Sequence, residues 1–288
     1  MTLQERVAGS AAGRQRTILS MTNKDFQQLI HEKITVPDEP ARTSRPRLVS
    51  LLADNLQNYN ATVIHGRAGA GKTTLAADFA RRAARAVCWY KVDAADTELR
   101  VFCKYLAATL QRQLPTLDET PLLEITESVQ SDRAELLAEG FVFQLSEHAT
   151  EPLLVVIEDL HLVYDADWVV PFFHRLLPLL PTDVHFFITC RSLPPTPLWR
   201  MRSKQMLRVI DEPELAFTFD EALHLFETYG LSEEHARIAL RNTNGRAGAI
   251  ASFAATPGQA GRAMADSFLS LNPRKLNTMG QRTPDFQT

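Results

Sequence analysis

Apolar positions along the chain follow two alternating rhythms. Ala61-Thr62-Val63-Ile64-His65, Ala86 to Tyr90, Leu153-Leu154-Val155-Val156-Ile157, Val184 to Thr189 and Leu207 to Ile210 are short, largely apolar runs. They predict strands, and the continuous runs suit central parallel strands buried on both faces. Between them the spacing turns helical. Thr43-Ser44-Arg45-Pro46 caps and opens a helix with Leu48, Leu51, Leu52 and Leu56 on one stripe. Further helices are predicted from near Gly71 to about Arg85, over Thr97 to Leu114, from Ser131-Asp132-Arg133-Ala134-Glu135 onward, and over Trp168 to Leu180. Asp132 and Glu135 stand at capping-box spacing. Pro115 to Gln130 reads as a polar surface excursion and Leu193 to Leu198 as a loop. Strands alternating with helices predict an α/β fold with a mainly parallel sheet.

From Thr218 the strands stop. Thr218 and Glu221 form a capping box, Gly230 ends the first helix, Ser232 caps a second, and Arg246 to Ala255 is a third. The expected organisation is an N-terminal extension over 1–35, partly disordered with a short helix at 23–34; a nucleotide-binding domain over 36–212; a small all-helical lobe over 213–256; and a disordered tail over 257–288.

Candidate chemistry centres on Gly66-Arg67-Ala68-Gly69-Ala70-Gly71-Lys72-Thr73, which fits G-x-x-x-x-G-K-[ST]. A strand precedes it and the helix-forming Thr74-Leu75-Ala76-Ala77 follows, the context a phosphate-binding loop requires. Glycines let successive backbone N–H groups turn inward, and the helix start adds its positive dipole end. The α/β class is therefore specified as a three-layer P-loop NTPase fold. Nucleotide is expected on Gly66, Arg67, Ala68, Gly69, Ala70, Gly71, Lys72, Thr73 and Thr74, with Lys72 on phosphate and Thr73 on Mg²⁺.

Two further positions follow strands. Glu158-Asp159 after the Leu153 run matches a Walker B pair, one carboxylate for Mg²⁺ and the other for an attacking water. Arg191 follows the strand expected to lie between the other two and is placed to sense a γ-phosphate. His65 and His161 adjoin these motifs without a partner cluster and read as histidines hydrogen-bonded at strand ends. Arg200, Arg202, Lys204 and Arg208 read as a solvated surface rather than a nucleic-acid face.

Composition narrows the setting. The 288 residues carry a net charge of −3, which excludes a chain basic throughout. Cys88, Cys103 and Cys190 sit in apolar contexts, an odd count that fits buried thiols in a reducing compartment rather than disulfides or a metal site. No apolar run approaches the roughly 20 residues of a membrane helix, and residues 1–20 lack a signal-peptide core. The expected location is cytoplasmic, with no membrane partner.

Between Val36 and Ala255 the order of pieces resembles the nucleotide-binding module of the STAND class of P-loop ATPases, specifically the large ATP-binding LuxR-type transcription regulators. The pieces are Arg45-Pro46-Arg47-Leu48, the phosphate loop, Val87-Cys88-Trp89-Tyr90, Asp159-Leu160-His161-Leu162-Val163, Thr189-Cys190-Arg191-Ser192, Phe217-Thr218-Phe219-Asp220-Glu221 and Asn244-Gly245-Arg246-Ala247. The resemblance implies an ATP/ADP switch with slow Mg²⁺-dependent hydrolysis and homo-oligomerisation in the ATP state. By position it places Glu158, Asp159 and Arg191 in catalysis, and Thr73, Glu158 and Asp159 at the metal. Glu158 stands where the family has Asp, and Arg246 where it has Trp. No DNA-reading helix or inducer domain is visible, so the chain reads as a fragment, a truncated product or a stand-alone module. A stand-alone P-loop ATPase or small-molecule kinase, and an ATP-binding interaction protein with little hydrolysis, remain the alternatives.

Overall fold

The computed structural model describes residues 31–38, 41–118, 120–127 and 134–256. Most of the helix expected at 23–34, the Asp132 capping position and the tail beyond 256 lie outside the described residues. The elements in order are α1 (Pro46–Asn58), β1 (Ala61–His65), α2 (Lys72–Arg82), β2 (Ala86–Lys91), α3 (Leu99–Gln113), α4 (Thr120–Glu127), α5 (Ala134–His148), β3 (Leu153–Glu158), α6 (Val169–Leu176), β4 (Val184–Cys190), α7 (Thr196–Trp199), β5 (Leu207–Ile210), α8 (Glu212–Leu215), α9 (Phe219–Thr228), α10 (Glu233–Thr243) and α11 (Ala247–Ala255).

The five strands form one parallel sheet in the order β2-β3-β4-β1-β5. Every residue of β3 and β4 is buried, as two-sided cover by helices demands. Alternation along β3 divides the core. Val155 and Ile157 join the cluster under α3, α5 and α6, whereas Leu154 and Val156 join the cluster under α1 and α2. This gives three layers: helices, sheet, helices. The first cluster is anchored by Phe102, whose ring lies 4.7 Å from Trp168 and 5.3 Å from Tyr90, centre to centre. Truncating such a residue to Ala costs about 3–5 kcal/mol. Helices α9, α10 and α11 close on a separate apolar cluster that includes Ala222, Leu225, Phe226, Ala236 and Ile250.

Three local expectations are revised. The 115–130 stretch contains α4, whose Leu122 is buried against Gly140 of α5. Pro121 falls in the first helical turn, where it starts a helix instead of breaking one, and Asp118 accepts the Thr120 N–H at 2.9 Å. For the same reason Pro197 falls in the short helix α7. The Trp168–Leu180 helix tightens at Leu177–Leu179 into a 3₁₀ turn, where Pro178 cannot donate to the ladder.

Candidate nucleotide site

The carboxyl ends of β1, β3 and β4 converge, and all sequence-predicted site residues gather there. β1 ends at His65 and the loop leaves with Gly66 N–H donating to Cys190 O at 3.2 Å. Gly71 has φ +84°, a left-handed conformation that a side chain would strain, and it is the N-cap of α2. α2 starts at Lys72, so its free N–H groups face the loop. Lys72 is buried. Its Nζ donates to Gly66 O at 2.6 Å and Arg67 O at 3.1 Å, spanning the loop from within. Burial holds its pKa below the ordinary lysine value, against the pull of Asp159.

Glu158 and Asp159 are adjacent in sequence but occupy different environments. Glu158, the last residue of β3, is 4% exposed. Its Oε1 accepts the Thr73 hydroxyl at 2.5 Å, and its Oε2 is buried with no hydrogen-bond partner among the described residues. Asp159 turns the chain left-handed at φ 58°, ψ 34°, and its N–H donates to Thr189 Oγ1 at 3.0 Å. Its Oδ1 lies 3.7 Å from Arg191 Nε and 3.7 Å from His161 Nδ1. Arg191 is half exposed and follows β4, which lies between β1 and β3. Burial lowers the His161 pKa, with Asp159 opposing. His65 ends β1 as expected, whereas His161 sits in a 3₁₀ turn beyond its strand; among the described residues the buried Nδ1 of each ring has no hydrogen-bond partner.

Residues after β5 close over the loop, and sequence reasoning missed them. Glu212 accepts the Arg67 N–H at 3.1 Å and Arg67 Nη2 at 2.8 Å. Arg246 Nη2 donates to Ala68 O at 2.7 Å, and Gly248 N–H to Gly69 O at 2.7 Å. Three consecutive loop residues are thus each tied to a group more than a hundred residues away. Beside them lies a cavity of about 280 Å³ lined by Arg45, Gly71, Thr74, Leu75, Phe217 and Ala247, among others. Arg45 is buried. It donates through Nη2 to Leu215 O at 2.5 Å, covers the Phe217 ring at 4.5 Å, and lies 3.6 Å from Glu221. Burial pushes its pKa down to about 10, with Glu221 opposing. The cavity continues from the loop along α2, past Thr74, Leu75 and Asp78.

Elsewhere Arg208 pairs with Glu214 at 2.5 Å and Arg202 lies over Trp199 at 4.4 Å, so part of the basic cluster is already partnered. Among the described residues, no group of three or more His, Cys, Asp or Glu stands together to hold an ion. Nor is any helix long and apolar enough to cross a membrane.

This sheet order and this loop define a P-loop nucleotide-binding module. The chain belongs to the AAA ATPase domain family, whose model matches residues 42–188, just over half of its length. It is 30% identical over 200 residues to the HTH-type transcriptional regulator MalT of Serratia proteamaculans (strain 568), and 31% identical over 201 residues to MalT of Yersinia enterocolitica serotype O:8. Each match covers 69% of this chain and 22% of the relative, so the chain spans about a fifth of the length of the curated relatives it matches. A Signal Transduction ATPase with Numerous Domains (STAND) protein with a tetratricopeptide repeat sensor, from Pyrococcus horikoshii, shares the fold. Its TM-score is 0.50 at 20% identity, over 73% of this chain and 29% of that one.

Proposed function

We propose that this chain is an ATP/ADP-binding switch module with slow Mg²⁺-dependent ATPase activity, serving a signal-responsive, MalT-like transcription regulator in the cytoplasm and self-associating in its ATP state. The observation that carries the reading is the 2.5 Å bond between Thr73 of the phosphate loop and Glu158 at the end of β3. It joins the two motifs that a nucleotide–Mg²⁺ site requires.

The residues suit Mg²⁺. Glu158 presents a buried oxygen with no partner beside a hydroxyl, a hard oxygen pair for a cation that keeps much of its water. Thr73 and Glu158 would hold it, with Asp159 within reach of its water shell. Mg²⁺ bound there would neutralise charge on the β- and γ-phosphates. Lys72 and the loop N–H groups bind those phosphates, Arg191 lies where γ-phosphate charge develops, and Asp159 orients the attacking water. In the reaction the water oxygen bonds to the γ-phosphorus and the bond to the bridging oxygen breaks, its electron pair leaving with ADP. One water proton stays on the released phosphate and the other passes to solvent. The MalT names of the relatives support the regulatory setting.

Glu158→Gln tests the metal role, because it keeps an acceptor for Thr73 and removes the charge. The variant is expected to retain ATP and lose Mg²⁺-dependent turnover. Wild-type Mg²⁺ dependence in Glu158→Gln would contradict the assignment.

A further inference from the structure

His161 stands at the phosphate end without a task in the hydrolysis scheme. Its position is set by the fold. The left-handed turn at Asp159 starts the 3₁₀ turn Leu160–Val163, held by Leu162 N–H on Asp159 O at 3.0 Å, and this folds His161 back beside the Asp159 side chain. A non-glycine residue in that conformation is a local strain that persists where neighbours over-determine it. Here Thr189 Oγ1 accepts the Asp159 N–H at 3.0 Å, fixing the turn to β4. Two groups then approach the same carboxylate oxygen, Oδ1: Arg191 Nε from β4 and His161 Nδ1 from the turn, each at 3.7 Å. His161 Nδ1 is buried and, among the described residues, has no partner within hydrogen-bond distance. A ring nitrogen in that state leaves a polar group unsatisfied, and the Asp159 carboxylate is the acceptor a small rotation away.

We propose that His161 is a positioning residue for hydrolysis: with Arg191 it secures Asp159 by Oδ1, so that Oδ2 is presented to the attacking water. The proposal rests on the reading of the site as an ATPase. Arg191 alone gives a half-exposed, long and flexible partner. His161 adds a short one whose Nδ1 is buried, with the proton on that nitrogen. A carboxylate gripped on one oxygen by two groups has one orientation, and a nucleophile's placement to within about 1 Å is worth orders of magnitude in rate. His161 touches no reacting atom. Its effect is expected on turnover, with nucleotide binding left to the loop and Lys72.

The test uses the full chain and compares wild type with His161→Asn, His161→Gln and His161→Ala, with Lys72→Ala as background. Steady-state Mg²⁺-ATP hydrolysis and the affinities for ATP and ADP are measured. Asn places an amide N–H close to where Nδ1 stands, whereas Gln carries it to the far side of the ring. His161→Ala and His161→Gln are expected to lose about 10- to 100-fold in kcat, as outer-shell partners do, while His161→Asn recovers most of it. KM and both affinities stay near wild type. Equal turnover in the Asn and Gln variants, or an unchanged kcat in either Gln or Ala, overturns the positioning role. If Ala fails to fold, the Asn–Gln pair decides. Wild-type turnover no higher than that of Lys72→Ala overturns the ATPase reading and this role with it. Strong wild-type turnover with uniform His161 variants overturns this role alone.

Discussion

Gly248, the second residue of α11, donates its backbone N–H to Gly69 O of the phosphate loop at 2.7 Å. The close approach leaves little room for a side chain on Gly248. A Cβ on Gly248 would stand 3.1 Å from Gly69 O and 3.2 Å from its Cα. The three-helix group therefore rests on the glycine loop after β1.

Gly248→Ala separates this contact from helix stability. Alanine favours the helix by up to ~1 kcal/mol over glycine. The added methyl pushes α11 off the loop by a few tenths of an ångström. The expected result is an unchanged or higher Tm with nucleotide released about 5- to 30-fold faster, equivalent to ~1–2 kcal/mol. Stopped-flow release of a fluorescent ADP analogue reads it. An unchanged release rate would show that the contact carries no coupling.

Arg67 and Glu212 predict an acid signature. Hydrogen bonds from the Arg67 side chain, then from its backbone N–H, bring the Glu212 pKa from 4.5 down to about 2. A carboxylate depressed on folding stabilises above its unfolded pKa, and that stability is lost as pH falls through the folded value. The Glu212 contribution is thus full above about pH 4.5 and disappears towards pH 2. Denaturant titrations of wild type and Glu212→Gln should converge as pH falls across that window. Parallel curves would deny the linkage. The pair is partly solvated, so the effect should be small and salt-sensitive.

Glu221 serves three groups at once. It lies 3.6 Å from Arg45 Nε and 3.3 Å from Arg47 Nε, and it accepts the Thr218 N–H at 3.1 Å as the closing member of a capping box. Glu221→Ala leaves a buried guanidinium without its counter-charge. Removing one partner of a buried pair costs about 3–5 kcal/mol. Glu221→Gln keeps the cap and should cost clearly less. Equal losses for the two variants would place the effect in the charge rather than the cap.

Much of the molecule is legible from its residues. The five strands and the phosphate loop follow from apolar runs and glycine spacing, because both are local properties. The Thr218–Glu221 box is local too, and it forms. Helix α4 was hidden because Pro121 reads as a breaker until its place in a first turn is known. The different environments of Glu158 and Asp159 were hidden because they depend on a left-handed turn that no side-chain pattern announces. The contacts of Glu212, Arg246 and Gly248 with the loop could not be read at all. They join groups distant in sequence, and nothing in the spacing encodes a through-space meeting.

The central claim is tested most directly by denaturing the purified chain, identifying the nucleotide it releases, and assaying Mg²⁺-ATP hydrolysis beside Lys72→Ala. The account predicts bound ADP and slow turnover in wild type, and neither in the variant. A wild-type chain that carries no nucleotide, binds no added ATP and matches Lys72→Ala in turnover would contradict it.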